Sequence, residues 1–440
     1  MVDSELGTYK DTPQWLTSFH APVIENLIPC HGISAKEAFE VIVQQLSTNA
    51  DPILNLGTFS NVLMEPEAKD LLQQVLGINF IDQFAYPALE EIHQRVIGWI
   101  GQLFNPPDEC QPIGMATVGS SEAIMLGLLA HKFNWRRQRE QASQPIGCPN
   151  IVMGGNVHVC WQKFSLYFDV SNRTIPVKTS QCILTADQVV KEIDENTIAV
   201  SCVLGNTYTA QFDEIAKIND FLLTVKQERG WDIPIHVDAA IGGFITPFAH
   251  PELLWDFRLE QVRSINVSNH KFGLVYPGMG TLLFRDRSVL PEELVFDVPY
   301  MGNVLSNYSL NFSRSSGIVL LQYYNFLRLG KAGYRQIVLE TLEKAQVLES
   351  KLLATGYFEI ISNTNYLPIL VLHLKPPYTA QAFAVKLSQQ LRERHWIVPT
   401  YALPLTTETI HVLRLVAKQS WTFDIIELIT KDIQEIMASF

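Results

Sequence analysis

Six short strand-like runs, several of them apolar without polar–apolar alternation, constrain this chain more than any other feature. They lie at 150–153, 174–177, 197–204, 233–238, 264–268 and 281–284. Strands with one solvated face alternate, whereas strands covered on both faces read as continuous apolar runs. Between two of them, 213–229 carries a helical pattern closed by Gly230, which makes a β-α-β unit ending at Asp238. The expected fold is α/β, built on a large and mostly parallel sheet. A chain of 440 residues has room for more than that sheet. From 331 to 353 it reads as a long amphipathic helix ending near Gly356, followed by strand 367–374, helix 380–394, strand 409–416 and helix 424–437. The expected division is therefore a helical arm over 1–53, a large domain over 54–341 and a small α+β domain over 342–440. In the arm, Ser34 and Glu37 have capping-box spacing ahead of Ala38, Val41 and Ile42. Such a helix needs the main body or a second subunit to cover its apolar face.

Charge narrows the partners. A formal net charge of −12 and a pI near 5.4 disfavour a phosphate backbone or an anionic membrane surface. The N-terminus lacks a basic region followed by an apolar run, and no stretch approaches ~18 uninterrupted apolar residues. A soluble, cytoplasmic protein is expected. The six cysteines contain no C-x-x-C pair, so free thiols are expected, with neither a disulfide framework nor a metal site.

Three features supply chemistry. Lys271 lies where the strand at 264–268 gives way to a loop, and a lysine desolvated there can lose its proton and attack a carbonyl. Asp238 ends the run Ile235-His236-Val237-Asp238 and precedes the small residues Ala239 and Ala240, which leave space for a flat ring. A strand-end aspartate also serves to cap the next helix. Ser120 and Ser121 open a helix whose N-terminal N–H groups and hydroxyls suit a phosphate, although serines there also act as plain caps. A phosphate anchor, a carboxylate for a protonated ring nitrogen and an amine 33 positions after it are the parts that hold pyridoxal 5'-phosphate. Gly278-Met279-Gly280 is no dinucleotide loop, because it precedes a strand and lacks the third glycine.

The stretches GSSEAIMLG (119–127), VCWQKF (159–164), TYTAQF (207–212), HVDAAIGGF (236–244), SNHKFGL (268–274), NFSR (311–314) and VLRL (412–415) carry a resemblance. From about residue 30 to 430 the chain resembles the pyridoxal-phosphate-dependent group II decarboxylases, most closely their glutamate decarboxylase branch. The resemblance implies a fold-type-I, aspartate-aminotransferase-like architecture with a seven-stranded sheet and active sites shared across a homodimer or higher homo-oligomer. It makes Lys271 the amine that bonds the cofactor and Asp238 the partner of its ring nitrogen. Ser120, Ser121, Ser268 and His270 would hold the phosphate, with Ser313 arriving from the partner subunit. Ala240 and His158 would pack the two ring faces, with Thr207 beside them. Arg414 would take the substrate α-carboxylate, and Thr58, Phe59, Asn79 and Asp82 its side-chain carboxylate. Tyr300 would return a proton to the substrate carbon.

The implied reaction is decarboxylation of L-glutamate to 4-aminobutanoate. Asp82 beside a substrate carboxylate would have to share a proton with it, which implies a preference for mildly acidic pH. His158, Ile241 and Asn269 depart from the usual glutamate decarboxylase residues, and the last two are expected to crowd the edge of the site. Two other readings are decarboxylation of aspartate, cysteine sulfinate or an aromatic amino acid, and a cofactor-fold protein acting as a regulator without turnover.

Overall fold

The computed structural model describes residues 28–60, 62–178, 182–300, 303–405 and 409–440, with the side chains of 298–306 outside the description. The chain divides into two compact units, the first ending at Asp51 and the second spanning Pro52–Phe440. In the first, helix Ala35–Leu46 is nucleated by the expected capping box. Ser34 Oγ accepts from Glu37 N at 3.2 Å and Glu37 Oε2 accepts from Ser34 N at 2.9 Å. Its apolar residues Phe39, Ile42, Val43 and Leu46 are exposed.

The second unit is organised on a seven-stranded sheet in the order β1-β7-β6-β5-β4-β2-β3. The strands are β1 (Ile113–Thr117), β2 (Asn150–Gly154), β3 (Ser171–Ile175), β4 (Thr197–Val203), β5 (Ile235–Asp238), β6 (Val262–Val267) and β7 (Gly280–Phe284). Only β7 runs against its neighbours. Both faces of β2, β4, β5 and β7 are covered, whereas the edge strand β3, which starts three residues before the expected run at 174–177, is largely exposed. Val152, Val200 and Cys202 pack on one side with helix Ile215–Arg229 and helix Pro87–Leu103. Ile151 and Met153 point to the other, against Ile124 and Leu128 of helix Ser120–Gln141 and Trp161 and Phe164 of helix Val159–Tyr167. Gly230 closes helix Ile215–Arg229 in the left-handed region, φ 72°, where a side chain would be strained.

A hairpin, β8 (Phe296–Tyr300) with β9 (Asn303–Asn307), follows the sheet. Helix Gly317–Ala354 is interrupted at Gly330, whose φ of 58° breaks the helical path one residue before the predicted start at 331. Beyond it lies a four-stranded antiparallel sheet ordered β10-β11-β13-β12, from β10 (Phe358–Ile360), β11 (Ile369–Leu374), β12 (Thr400–Ala402) and β13 (His411–Val416). Its core joins Leu370, Leu372, Leu413 and Leu415 to Ile426 and Ile429 of helix Phe423–Met437. This smaller α+β layer carries Arg414 on β13.

Candidate active site

In sheets of this kind ligands sit outside the carboxyl ends of the parallel strands. A cavity of about 180 Å³ lies there. Ser120 and Ser121 reach it from the turn after β1, His158 from the turn after β2, Thr207 after β4, Asp238 and Ala240 after β5, and Ser268, His270 and Lys271 after β6. Nine of the predicted residues thus meet in one place because one sheet edge collects them.

Lys271 is enclosed, and enclosure lowers its ammonium from the ordinary 10.5 to about 8, with Asp238 pulling upward and Arg414 pushing down. Its Nζ lies 5.0 Å from the ring centre of Phe59. The carboxylate of Asp238 is buried and fixed on three sides. Oδ1 accepts from Asn266 Nδ2 at 2.9 Å and from Ala240 N at 3.1 Å, and Oδ2 accepts from Trp161 Nε1 at 3.3 Å. The bond to Ala240 N closes a tight turn after β5 and does not cap the next helix, Gly242–Phe244, which has no side-chain cap.

At the other end, Ser120 Oγ and Ser268 Oγ are 2.6 Å apart. No side chain caps helix Ser120–Gln141, so the serines are not the plain caps they resemble. Glu122 instead turns back, Oε2 accepting from Val118 N at 2.8 Å and Oε1 from Leu310 N at 3.0 Å. Gly280 accounts for the glycine pair that is not a dinucleotide loop. A Cβ there would stand 2.6 Å from Gly119 C and Ser120 N, so only glycine lets β7 press against this helix start. His270 donates Nδ1–H to Met279 O at 3.0 Å, and burial pulls its ring below the ordinary histidine value.

His158 caps helix Val159–Tyr167 by accepting from Cys160 N at 3.3 Å. Its Nδ1 is therefore the lone-pair nitrogen, and the neutral ring carries its proton on Nε2. Burial lowers the His158 pKa, and the Cys160 thiol beside it is pushed up to about 12. Arg414 Nη1 donates to Thr207 O at 2.9 Å and Nη2 to Gly57 O at 3.0 Å, with the guanidinium 4.6 Å from the ring centre of Phe59. Its Nε is buried without a partner, and no carboxylate pairs with it among the described residues. Thr58 Oγ1 accepts from Ser60 N at 3.2 Å in the same segment.

Other predicted residues fall elsewhere. Thr58, Phe59, Arg414, Asn79, Asp82 and Ser313 do not line this cavity, although Phe59 and Arg414 stand beside Lys271 and Thr207. Asn79 Nδ2 donates to Ser313 Oγ at 3.1 Å, and Asp82 Oδ1 is buried without a hydrogen-bond partner among the described residues. The backbone of Tyr300 ends β8, and its side chain lies outside the described residues. Ile241 lines the cavity as expected, but Asn269 does not crowd it. Asn269 is turned into the interior, donating to Gln322 Oε1 at 3.0 Å and accepting from Thr281 Oγ1 at 2.8 Å. Sequence reasoning missed Trp161 and Asn266, which hold Asp238. No sequence signal ties them to Asp238; the parallel register of β5 and β6, visible only in the fold, sets Asn266 opposite it.

The donor set fits pyridoxal phosphate. A depressed amine, a fixed carboxylate, a small residue at 240 and a hydroxyl pair at an uncapped helix start occupy one cavity, and the Gly280 approach keeps the anion end open. Residues 35–375 match the model of the pyridoxal-dependent decarboxylase conserved domain.

The chain belongs to the pyridoxal-dependent decarboxylase family.

Within this family it is 40% identical over 412 residues to a glutamate decarboxylase of Petunia hybrida, covering 93% of this chain and 82% of that one. It is also 40% identical over 399 residues to the glutamate decarboxylase beta of Listeria monocytogenes, covering 90% and 86%. The solved glutamate decarboxylase of Lactobacillus brevis superposes with a TM-score of 0.92 at 36% identity, covering 96% of each chain. The architecture is that of a fold-type-I pyridoxal-phosphate decarboxylase.

Proposed function

We propose that the protein decarboxylates L-glutamate to 4-aminobutanoate and carbon dioxide with pyridoxal phosphate as cofactor. The observation that carries this reading is an amine-and-carboxylate cofactor site next to Arg414, which does not line the cavity itself but bonds the cavity-lining Thr207, shares the Phe59 ring with Lys271 and has no carboxylate of its own among the described residues. Relatives of the same family that align over nine-tenths of the chain and are named glutamate decarboxylases support the choice of substrate.

When bound, the cofactor supplies an electron sink for the bond broken at the substrate Cα. The side chains do the rest. Lys271, with its lowered pKa, has a far larger neutral fraction at near-neutral pH than a solvated lysine. Asp238 would accept from the protonated ring nitrogen, Ala240 and His158 would bound the ring, and Ser120, Ser121, Ser268 and His270 would hold the phosphate. Thr207 gives its carbonyl oxygen to Arg414 and so ties the cofactor wall to the guanidinium. Arg414 has donors suited to an α-carboxylate, and holding that group selects which Cα bond breaks. Each turnover consumes one proton, for which Tyr300 is our proposed donor.

The side-chain carboxylate would meet Thr58 and Phe59 of one chain and Asn79 and Asp82 of another. That Asn79 and Ser313 bond each other and do not line the cavity of their own chain fits an active site shared by a homodimer, with Ser313 crossing to the partner's phosphate. The exposed apolar face of helix Ala35–Leu46 also favours self-association. The free cysteines suit the cytoplasm, where we place the protein.

Product analysis across glutamate, aspartate, cysteine sulfinate and aromatic amino acids tests the reading. The expected result is 4-aminobutanoate from glutamate with the other substrates at least tenfold slower. Faster release of carbon dioxide from any of the others would overturn the substrate assignment, and no turnover of any would overturn the reaction.

A further inference from the structure

Three buried polar side chains behind Asp238 and Asn266, namely His131, His236 and Ser264, have no part in the chemistry described so far. The parallel register of β5 and β6 sets His236 opposite Ser264 and Asp238 opposite Asn266. Residues two apart on a strand share a face, so all four point to the side where helix Ser120–Gln141 lies. Gly127 and His131 of that helix are one turn apart and meet them. A Cβ at Gly127 would stand 2.7 Å from His236 Nδ1, so the glycine makes room for the ring. His131 Nε2 then reaches Ser264 Oγ at 2.7 Å.

The contacts run in series. His131 Nε2 meets Ser264 Oγ, Ser264 Oγ meets His236 Nδ1 at 2.6 Å, His236 Nε2 meets Asn266 Oδ1 at 2.8 Å, and Asn266 Nδ2 meets Asp238 Oδ1 at 2.9 Å. Donor and acceptor chemistry allows one direction. As a carboxylate Asp238 only accepts, so the Asn266 amide nitrogen faces it and the Asn266 oxygen faces His236. That oxygen only accepts, so His236 carries its proton on Nε2. In a neutral ring Nδ1 is then the acceptor, which makes Ser264 the donor to it. Ser264 has a single proton, so its oxygen must accept from His131 Nε2–H. Burial disfavours the charged form of both histidines, and His236 is lowered to about 4. Trp161 closes the assembly, its ring 5.4 Å from that of His236 and its Nε1–H on the second oxygen of Asp238.

We propose that His131, Ser264, His236 and Asn266 form a one-way chain of hydrogen bonds that positions the carboxylate of Asp238 for the cofactor's ring nitrogen. Each donor polarises the next, so the last bond onto Asp238 is stronger than an isolated amide contact. These are positioning residues, acting on the cofactor only through Asp238. The proposal rests on the reading of Asp238 as the ring nitrogen's partner.

Ring-nitrogen NMR of the protein labelled with ¹⁵N-histidine tests the chain without any substitution. The expected result is that both His131 and His236 are neutral with the proton on Nε2. Either ring found with its proton on Nδ1, or found charged at neutral pH, would overturn the proposal. Substitution adds the link to the cofactor. Ser264→Ala removes the central donor and is expected to release His236 into a mixture of tautomers and to raise the apparent Kd for pyridoxal phosphate about tenfold, the scale of one hydrogen bond to a charged group. His131→Leu should act in the same direction, and His131→Gln, which keeps a donor toward Ser264, should restore most of the affinity. Unchanged cofactor affinity in Ser264→Ala and His131→Leu, beside an Asp238→Ala variant that loses its cofactor, would refute the chain while leaving the reading of Asp238 intact. An Asp238→Ala variant that keeps its cofactor would remove the reading itself, and the proposal with it.

Discussion

Apo protein mixed with pyridoxal phosphate should capture it at a rate set by how much of Lys271 is neutral, because only the free amine attacks the aldehyde. With the amine at about 8 in place of the ordinary 10.5, about 10% is neutral at pH 7 against about 0.03% for a solvated lysine, a gain of ~300-fold. Stopped-flow recording of the visible band that the cofactor gains on bonding to the lysine measures this directly. The rate should climb roughly tenfold per pH unit below pH 7 and level off above about pH 8. The carboxylate of Asp238 is the strongest influence holding the ammonium in its charged form. Asp238→Asn should therefore move the midpoint to lower pH, even while it weakens retention of the cofactor. A rate that keeps rising past about pH 10, or a midpoint that Asp238→Asn moves upward, would refute the account of why this lysine is reactive.

Further consequences follow from other contacts. Arg414→Lys keeps the charge but loses the fork that reaches Thr207 O and Gly57 O; kcat/KM for glutamate should fall about 10- to 100-fold, measured by steady-state kinetics. His270 has already spent its Nδ1 proton on Met279 O, so it can donate to phosphate only as the imidazolium. Burial lowers its pKa in the free protein and a phosphate dianion raises it, so binding takes up a proton and affinity falls as pH rises through neutrality. Calorimetry in two buffers of different ionisation enthalpy should show that uptake, and it should vanish in His270→Asn. Gly280→Ala would force the start of helix Ser120–Gln141 away from β7. It should cost about 1–3 kcal/mol in denaturant unfolding and weaken binding of inorganic phosphate to the apo protein.

The central sheet was legible because β2, β4 and β7 are buried along both faces and read as short apolar runs, while β5 and β6 showed through Ile and Val at alternate positions between loop signals although His236, Asp238, Ser264 and Asn266 interrupt them. Five strands were not. β1 is short and holds Gly114, whose Cβ would lie 2.1 Å from Leu282 O, so close backbone packing took the place of a β-forming side chain. β8 carries Pro299, which argues against a strand, and its hairpin with β9 lacks a turn signature. β10 and β12 have three residues each, too few to show a period. Of the site, the residues at strand ends were readable from position alone. The supports of Asp238 were not, because Asn266 and Trp161 come from other elements and only register joins them. Asn269 was misjudged for a related reason. Its neighbour Lys271 faces the cavity, but the chain turns between them and sends the amide toward Gln322 and Thr281.

The claim on which all of this depends is that Lys271 is the amine that bonds the cofactor. Borohydride reduction of the protein loaded with pyridoxal phosphate, followed by peptide mass mapping, tests it most directly. A built-in competitor sharpens the test, since Lys418 is also buried and also lowered to about 8, but has no carboxylate near it among the described residues and donates to Asn55 O. The account predicts a pyridoxyl group on the peptide containing Lys271 and on no other. The same group on Lys418, or spread over surface lysines with Lys271 unmodified, would contradict it.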